Sequence, residues 1–406
     1  MKIGIIRETK VPEDYRVALT PNEIVSLQQQ FANAEFVVQS SPTRAYSDEE
    51  YRSKGVTVRD NIDDCDLLLG IKEAKVETLL PNKHYFFFGH IAKMQPYNKP
   101  LLQKMIAQKI TFSDYEYLVD DKNQRLCAFG WWAGVVGVYN TLRAYGIRMN
   151  KFNLPAPDRQ FTLERLISTL QTLPQFGAKI MVTGNGRVSH GAQHVLDAIG
   201  YQRVSPSEFL AIEKTEAPIY TVADVDLLVK RKDAENLTFD LNHFIQNPEV
   251  YESAFFPFAK AADILLCCHF WAPQNPVYLS ETELKCSELR ISVIGDVTCD
   301  ILGSVKSTLR ASTHAEPFYD YNPATAQEEP PFSSAENITV MAVDTLPNAL
   351  AIDTSSYFGE ALSKYVMEPI LKGNLDSDPV IERATILKNG ELTERFSYLK
   401  DFVEKD

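Results

Sequence analysis

The sequence predicts an α/β protein of two domains, each a mostly parallel sheet with helices on both faces. Three observations carry that prediction. The chain has 406 residues, more than one hydrophobic core of ordinary size accommodates. Short apolar runs alternate with helix-compatible segments along most of its length, the pattern of strands buried on both faces. A strand-like KIMVT leads through a glycine-rich turn, Gly184-Asn185-Gly186, into an amphipathic segment. Such a strand–turn–helix unit opens a doubly wound sheet.

The elements follow in order. Residues 2–6 (KIGII) read as a strand. Thr20, Pro21 and Glu23 form a capping box with proline at the first helical position, where its missing N–H costs nothing. Ile24, Leu27 and Phe31 continue at helical spacing, predicting a helix from 21 to about 31. The runs EFVVQ (35–39), CDLLLGIK (65–72), HYFFFGHI (84–91) and KITFSDYEYL (109–118) read as buried strands. Behind FGWWAG (129–134) lies a long apolar helix ending near Arg148, then a loop at 153–159. Leu163, Leu166, Ile167, Leu170 and Leu173 mark another amphipathic helix. The second alternating unit spans 178–200, with strands expected at YQRVSPSEF, at 264–270, 289–297 and 338–344, and loop at 305–337. From 351 to about 371 a helix carries Phe358, Leu362 and Val366 on one face. The expected first domain is 1–138, completed by 347–406, and the second is 139–346. Two Rossmann-like domains would then face each other across an active-site cleft.

Composition excludes several function classes. Hydrophobic residues at 45% exclude disorder as the main theme. A net charge of −13 repels phosphate backbones and anionic lipid, so nucleic acid and membrane are not expected partners. No apolar run approaches the length of a membrane span, and the stretch after Met1 ends at Arg7 without a signal-peptide core. The six cysteines form no C-x-x-C pair, which fits reduced thiols in the cytoplasm and no metal site.

The glycine turn is the strongest local motif. In a dinucleotide-binding fold the first glycine permits the tight turn, and the second admits a pyrophosphate to the helix N-terminus. Gly184 and Gly186 fill those places, and Arg187, Val188 and Ser189 open the helix, with Ser189 small enough for close packing. The acidic residue expected about 20 residues on, at the tip of the next strand, is missing. Arg203 and Ser205 stand there instead. Without a carboxylate to repel a 2′-phosphate, the cofactor reading, NAD or NADP, leans to NADP, although Glu208 could act from the loop.

The first half places polar residues where strands should end. Lys72 and Glu73 follow LLLGI, His90 follows FFFG with Lys93 close behind, and Asp114 and Glu116 alternate around Tyr115. Asp14 and Arg16 stand between the first strand and the capped helix, and Arg125 precedes CAFGWWAG. Each alone has an ordinary structural reading; together, at strand carboxyl ends, they mark a site.

These motifs resemble a known family. RETKVPEDYRVALTP, LLLGIKE, FFFGHIAKMQ, FSDYEYL, RLCAFGWWAG, VTGNGRVSHGAQ, GDVTCD and VDTLP are similar, in order, to the lysine-forming saccharopine dehydrogenases. The likeness is greatest to the lysine–ketoglutarate reductase portion of the bifunctional lysine-degrading enzyme. Wider relatives are alanine dehydrogenase and the NAD(H)-binding transhydrogenase subunit. The resemblance implies an oxidoreductase of lysine metabolism that interconverts saccharopine with lysine plus 2-oxoglutarate through an imine, using NAD(P)(H). Lys72 and His90 would then be the acid–base pair. Arg16 and Arg125 would hold carboxylates, as bidentate guanidinium groups do. Glu73 and Glu116 would flank Lys72 and tune its charge; Asp14, Lys93 and Phe129 would complete the substrate side. Asp296, in GDVTCD, would lie by the cofactor, and no role is assigned to Asp300. The alternatives are an alanine dehydrogenase-like enzyme and a nucleotide-binding module without catalysis.

Overall fold

The computed structural model describes residues 1–232 and 238–404. The chain forms two compact units, Met1–Phe129 with Leu350–Asp406, and Gly130–Ala349. The junction lies where Gly130 opens the helix Gly130–Arg148, so this helix belongs whole to the second unit. The expected junction at 138/139 falls inside it, because an apolar helix buried nearly all round shows no break in its sequence.

In the first unit, β1 (Lys2–Ile5), β2 (Glu35–Gln39), β3 (Thr57–Arg59), β4 (Leu67–Leu69), β5 (His84–Phe87) and β6 (Thr111–Asp114) run parallel. Their order is β6-β5-β4-β1-β2-β3. The winding reverses between β1 and β4, and the carboxyl ends at such a switch point are where α/β sheets place ligands. The helix Pro21–Gln30 starts as expected: Thr20 Oγ1 accepts from Asn22 N–H at 3.3 Å, and the Glu23 carboxylate accepts from Thr20 N–H at 2.9 Å.

The second unit contains β7 (Lys179–Thr183), β8 (Gln202–Arg203), β9 (Ile219–Ala223), a separate antiparallel pair β10 (Val229–Arg231) and β11 (Tyr251–Ser253), β12 (Ile264–Cys267), β13 (Val293–Asp296), β14 (Phe318–Asn322), β15 (Gln327–Glu329) and β16 (Ile338–Met341). The main sheet has the order β15-β14-β16-β13-β12-β7-β9-β8. All its neighbours are parallel except β14, which runs antiparallel to β16 and to β15. The chain then returns to the first unit. There β17 (Thr385–Lys388) lies antiparallel to β6, and β18 (Glu391–Leu392) closes the edge. Phe358 and Leu362, from the helix Ala351–Leu362, share a core with Ile3 and Leu68.

The α/β class holds, and four local expectations change. The strand expected at 109–118 stops at Asp114, whose Oδ1 accepts from Glu116 N–H at 2.9 Å and bends the chain into a 3-10 turn, Tyr115–Tyr117. Asp114 and Glu116 therefore do not alternate along a strand. The strand expected at 201–209 shrinks to two residues, because Ser205 caps the helix Pro206–Ala211 in a box with Glu208. The strand beside β7 is instead β9, which lies outside the expected strands. The stretch 305–337 holds the β14–β15 hairpin. Its strand was hidden by Asp320, a buried carboxylate that accepts from Thr339 Oγ1 at 2.8 Å and Ser333 N–H at 2.9 Å.

Candidate functional site

In the first unit the sheet delivers one polar segment past each central strand. Glu8 lies three residues beyond β1, Lys72 three beyond β4 and His90 three beyond β5, and Glu116 two beyond the end of β6. Glu8 accepts from two successive backbone N–H groups, Ile71 at 2.6 Å and Lys72 at 2.9 Å. Its carboxylate thus ties the end of β1 to the segment that carries Lys72. Burial, aided by the Asp14 carboxylate, pushes Glu8 up to about 8, against the pull of those two donors.

Lys72 itself is held below its ordinary value, first by burial and then by the cations Arg16 and Lys10, against Glu73 and Asp14. Burial of this kind favours the neutral amine over the ammonium. Glu73 bridges two partners: Oε1 takes His90 Nδ1 at 2.8 Å and Oε2 takes Lys10 Nζ at 2.9 Å. Burial pushes Glu73 up, but the His90 bond and Lys10 outweigh it and bring the carboxyl to about 2. An ionised carboxylate on Nδ1 fixes the tautomer with Nε2 available as acceptor. His90 adopts a left-handed backbone, φ 51°, stabilised where Asn98 Nδ2 donates to its carbonyl at 3.1 Å.

Arg16 and Asp14 form a buried fork, with Nε to Oδ1 at 2.9 Å and Nη2 on Oδ2. The guanidinium also stands 4.3 Å from the centre of the Phe129 ring, which stacks on Phe358 at 4.8 Å. Burial opposes the Asp14 charge, but Arg16 holds its carboxyl below the usual range. A third cluster joins Glu116 Oε1 to Arg125 Nη2 and, at 3.6 Å, to Lys93 Nζ. Glu116 Oε2 is buried with no hydrogen-bond partner among the described residues. The charges that bear on Lys72 are therefore Arg16, Lys10, Glu73 and Asp14, while Glu116 pairs with Arg125 and Lys93. The motifs did not point to Glu8 and Lys10. Their signal was position alone, within RETK just after the first strand.

The second unit offers a different arrangement. Gly184 has φ +80°, and a Cβ there would fall 2.7 Å from His269 Cα. Gly186 precedes the helix Arg187–Ala198, and a Cβ there would meet nothing within 4 Å. The turn is tight on one side and open on the other, as an approaching pyrophosphate needs, and first-turn N–H groups emerge at that helix end. A cavity of about 580 Å³ lies over it, lined by Gly184, Gly186, Arg187 and Val188 and, from elsewhere, by Asp224 and His269. His269 bridges Thr183 Oγ1 at 2.6 Å and Ser304 Oγ at 2.8 Å, and burial lowers it to about 3, so its ring is neutral.

Four expected cofactor residues do not line this cavity. Ser189 is buried in the helix and takes Gln193 Nε2 at 3.0 Å. Arg203 donates to Gln193 Oε1 at 2.9 Å, and Ser205 is consumed by its cap with Glu208. Asp296 is buried at the end of β13, accepting from Thr298 Oγ1 at 2.6 Å and from Thr308 Oγ1. The residue missed is Asp224, which follows β9 and accepts from Val225 N–H at 2.8 Å. The sequence could have shown it only by recognising IYTVA as the strand that inserts beside β7. Among the described residues no group of three or more His, Cys, Asp or Glu side chains is placed to hold a metal ion. No helix among them is long and apolar enough to cross a membrane.

Residues 4–136 match the family model described as "Alanine dehydrogenase/PNT, N-terminal domain". Over this stretch the chain is similar to that N-terminal domain. The resemblance read from the motifs holds along the chain. Alpha-aminoadipic semialdehyde synthase of Arabidopsis thaliana is 30% identical, over 98% of this chain and 41% of that protein. The mitochondrial protein of that name from Mus musculus is 28% identical, over 99% of this chain and 48% of its own length. The chain thus spans less than half of either. The Yarrowia lipolytica saccharopine dehydrogenase [NAD(+), L-lysine-forming] is 24% identical, over 95% of this chain and 96% of that one. Among solved structures, an L-alanine dehydrogenase superposes with a TM-score of 0.67 at 15% identity, covering 99% of both chains. The transhydrogenase from Sinorhizobium meliloti reaches 0.59 at 12%, covering 97% of this chain and 99% of that one. Both likenesses show that the chain shares the fold of those two proteins.

Proposed function

We propose that this chain interconverts saccharopine with lysine and 2-oxoglutarate, using a nicotinamide dinucleotide held by the second unit. The observation that carries the reading is the Lys72–Glu73–His90 arrangement: a lysine depressed by burial, followed in sequence by a carboxylate that bonds a histidine and fixes its tautomer. In the reductive direction the ε-amine of lysine attacks the C2 carbonyl of 2-oxoglutarate, water departs, and the C=N bond is reduced. Attack needs a neutral amine, and departure of water needs a proton donor. Two groups with separated proton affinities supply both near neutral pH. In this reading Lys72 takes the proton from the attacking amine, and His90 Nε2, after first accepting a proton so that the ring is an imidazolium held on Nδ1 by Glu73, passes it to the leaving hydroxyl. In the reverse direction they exchange roles at the imine hydrolysis. Arg16, Arg125 and Lys93 are the cations available for the substrate's carboxylates, Arg16 oriented by Asp14 and Phe129, Arg125 by Glu116. Glu116 Oε2, buried and lacking a partner among the described residues, suits a ligand ammonium.

The dinucleotide, when bound, donates or accepts the hydride. Gly184, Gly186 and the helix start at Arg187–Val188 are the residues suited to its pyrophosphate. For the choice of coenzyme, Asp224 reverses the lean to NADP(H). It follows the strand next to β7 and lines the same cavity as the glycine turn. A carboxylate at that place hydrogen-bonds a ribose 2′-hydroxyl and repels a 2′-phosphate, so NAD(H) is the proposed coenzyme. The decisive assay supplies lysine plus 2-oxoglutarate with NADH and with NADPH, and pyruvate plus ammonia as the competing pair. Turnover with the lysine pair, faster with NADH, is expected. Turnover with pyruvate and ammonia alone would overturn the substrate assignment in favour of an alanine dehydrogenase activity.

A further inference from the structure

A cavity of about 1110 Å³ lies in the first unit, where β5, β6 and β17 meet. Asn82, Lys83 and His84 bring it to the start of β5, Thr111 to the start of β6, and Lys388 and Asn389 to the end of β17. Lys72 and His90 lie beyond the opposite, carboxyl ends of β4 and β5, and the cavity shares no residue with their cluster. Apart from Leu375, its lining is polar, and it mixes Lys and Arg with Asp and Glu side chains. Such a surface suits a ligand that bears both signs of charge.

A chain of hydrogen bonds crosses the three strands and ends in this cavity. Thr385 Oγ1 donates to the Ile381 carbonyl at 2.8 Å. A hydroxyl has one proton, so the contact of Thr385 Oγ1 with Ser113 Oγ, at 2.9 Å, takes its proton from Ser113. The Ser113 proton is then committed as well. His84 Nε2, 2.9 Å from Ser113 Oγ, is therefore the N–H donor of the last bond. Burial lowers the His84 ring to about 3, so it is neutral and carries no second proton. Nδ1 is left as an acceptor with no hydrogen bond among the described residues, on a side chain that lines the cavity. Only a donor can satisfy it.

Two charges stand by this acceptor. Asp376 and Lys388 act on the His84 ring with opposite signs, and they pair with each other, Nζ to Oδ1 at 2.9 Å. Their side chains are 79% and 57% exposed, so the pair is worth little in water and opens readily to a competing ligand. Lys83 adds a second ammonium next to His84 in sequence, on the same lining. We infer that the cavity is a second ligand site, taking the zwitterionic end of a free α-amino acid. Its ammonium donates to His84 Nδ1 beside Asp376, and its carboxylate meets Lys388 and Lys83. An amine alone would leave the lysines without a counter-charge. A carboxylate alone would face an acceptor nitrogen and Asp376. An α-amino acid answers both, because its two charges are neighbours as those of Asp376 and Lys388 are.

Calorimetric titration of the full chain with L-glutamate and L-lysine tests this. The N-acetyl and methyl ester forms of each amino acid remove the α-ammonium or the α-carboxylate in turn. Asp376→Asn/Lys388→Gln changes two exposed positions and keeps the net charge; His84→Phe removes the acceptor and keeps a ring on Phe86, where the two now stack at 4.6 Å. At least one of the two amino acids should bind, and both of its blocked forms should bind about tenfold more weakly or worse. The double variant and His84→Phe should each lose about tenfold or more in affinity, the double variant with unchanged melting. If His84→Phe does not fold, the double variant decides alone. An affinity that the cavity variants keep would overturn the inference, and its loss in Arg16→Ala would then place the amino acid in the catalytic cluster. Failure of both amino acids to bind would overturn it too. None of these readouts uses turnover, so they stand whatever the lysine and 2-oxoglutarate assay returns.

Discussion

The two clusters of functional residues are built from opposite materials. In the first unit nearly every polar side chain at the strand ends is charged and committed to another charge, and the carboxylates are buried or nearly so: Asp14 to Arg16, Glu73 to His90 and Lys10, Glu116 to Arg125 and Lys93. Proton affinities there are displaced in both directions, Glu8 up to about 8 and Glu73 down to about 2. The cavity of the second unit is formed by a glycine turn, a helix start and apolar side chains, and its histidine is neutral. Displaced proton affinities gather where protons must move; a site that only grips can rely on N–H dipoles and area. Under the proposed function the contrast is a division of labour, with proton transfer in the first unit and nucleotide binding in the second.

The largest expected effect tests the division directly. General acid–base catalysis contributes ~10²–10⁴-fold, so Lys72→Met and His90→Gln should each lower turnover by about that much. Nucleotide affinity, measured by titration on the same preparations, should stay constant. Variants that melt earlier yet keep normal turnover per folded molecule would make both residues structural and erase the contrast. The converse comes from the second unit. A bulky residue at Gly186, such as valine, enters the open space over the turn, where no atom of the described residues beyond its chain neighbours lies within 4 Å of a Cβ. Dinucleotide affinity should fall about tenfold or more with the fold intact. An unchanged affinity would move the nucleotide elsewhere.

The outcome also shows what the sequence can express. The α/β class was legible because runs such as LLLGI and KIMVT are apolar on both faces, a property of the chain itself. Strand ends were less so, since apolar residues continue into turns: the run 84–91 yields a strand only to Phe87. The positions of Lys72 and His90 past their strands could be read from the same runs. Their partners could not, because the Glu8 bond to Lys72 N–H joins residues 64 apart. Asp224 was hidden for a related reason. Counting about 20 residues from the glycines assumes that the next strand in sequence is the next strand in space, and here β9 takes that place while β8 goes to the edge.

A smaller effect sharpens the second unit's side. Asp224→Ser removes the carboxylate that should disfavour a 2′-phosphate, so the ratio of NADPH to NADH efficiency should rise, by about tenfold for one lost contact of this kind. Measured kcat/KM with each coenzyme decides it. A ratio that does not move would return the choice of coenzyme to residues outside this strand end.

The smallest effect is on stability, and its sign separates two carboxylates of the first unit. Glu73 falls from 4.5 to about 2 on folding, so its contribution is present above pH ~4.5 and is lost as pH drops through about 2. Glu8 rises from 4.5 to about 8, so it favours the folded state below pH ~4.5 and loses that contribution as pH climbs through about 8. A tenfold change in proton affinity is worth ~1.4 kcal/mol in full, and relaxation and water penetration around buried charges reduce each effect to about 1–2 kcal/mol. Glu73→Gln should therefore destabilise the protein near pH 7 and progressively less toward pH 2. Glu8→Gln should gain on the unmodified protein between pH 5 and 9, even where it lowers turnover by loosening the segment of Lys72. Urea unfolding of both variants from pH 2 to 9 measures the two slopes. Equal slopes would mean that the bonds Glu8 accepts from Ile71 and Lys72 outweigh its burial, leaving it an ordinary ionised carboxylate that positions Lys72 at every pH.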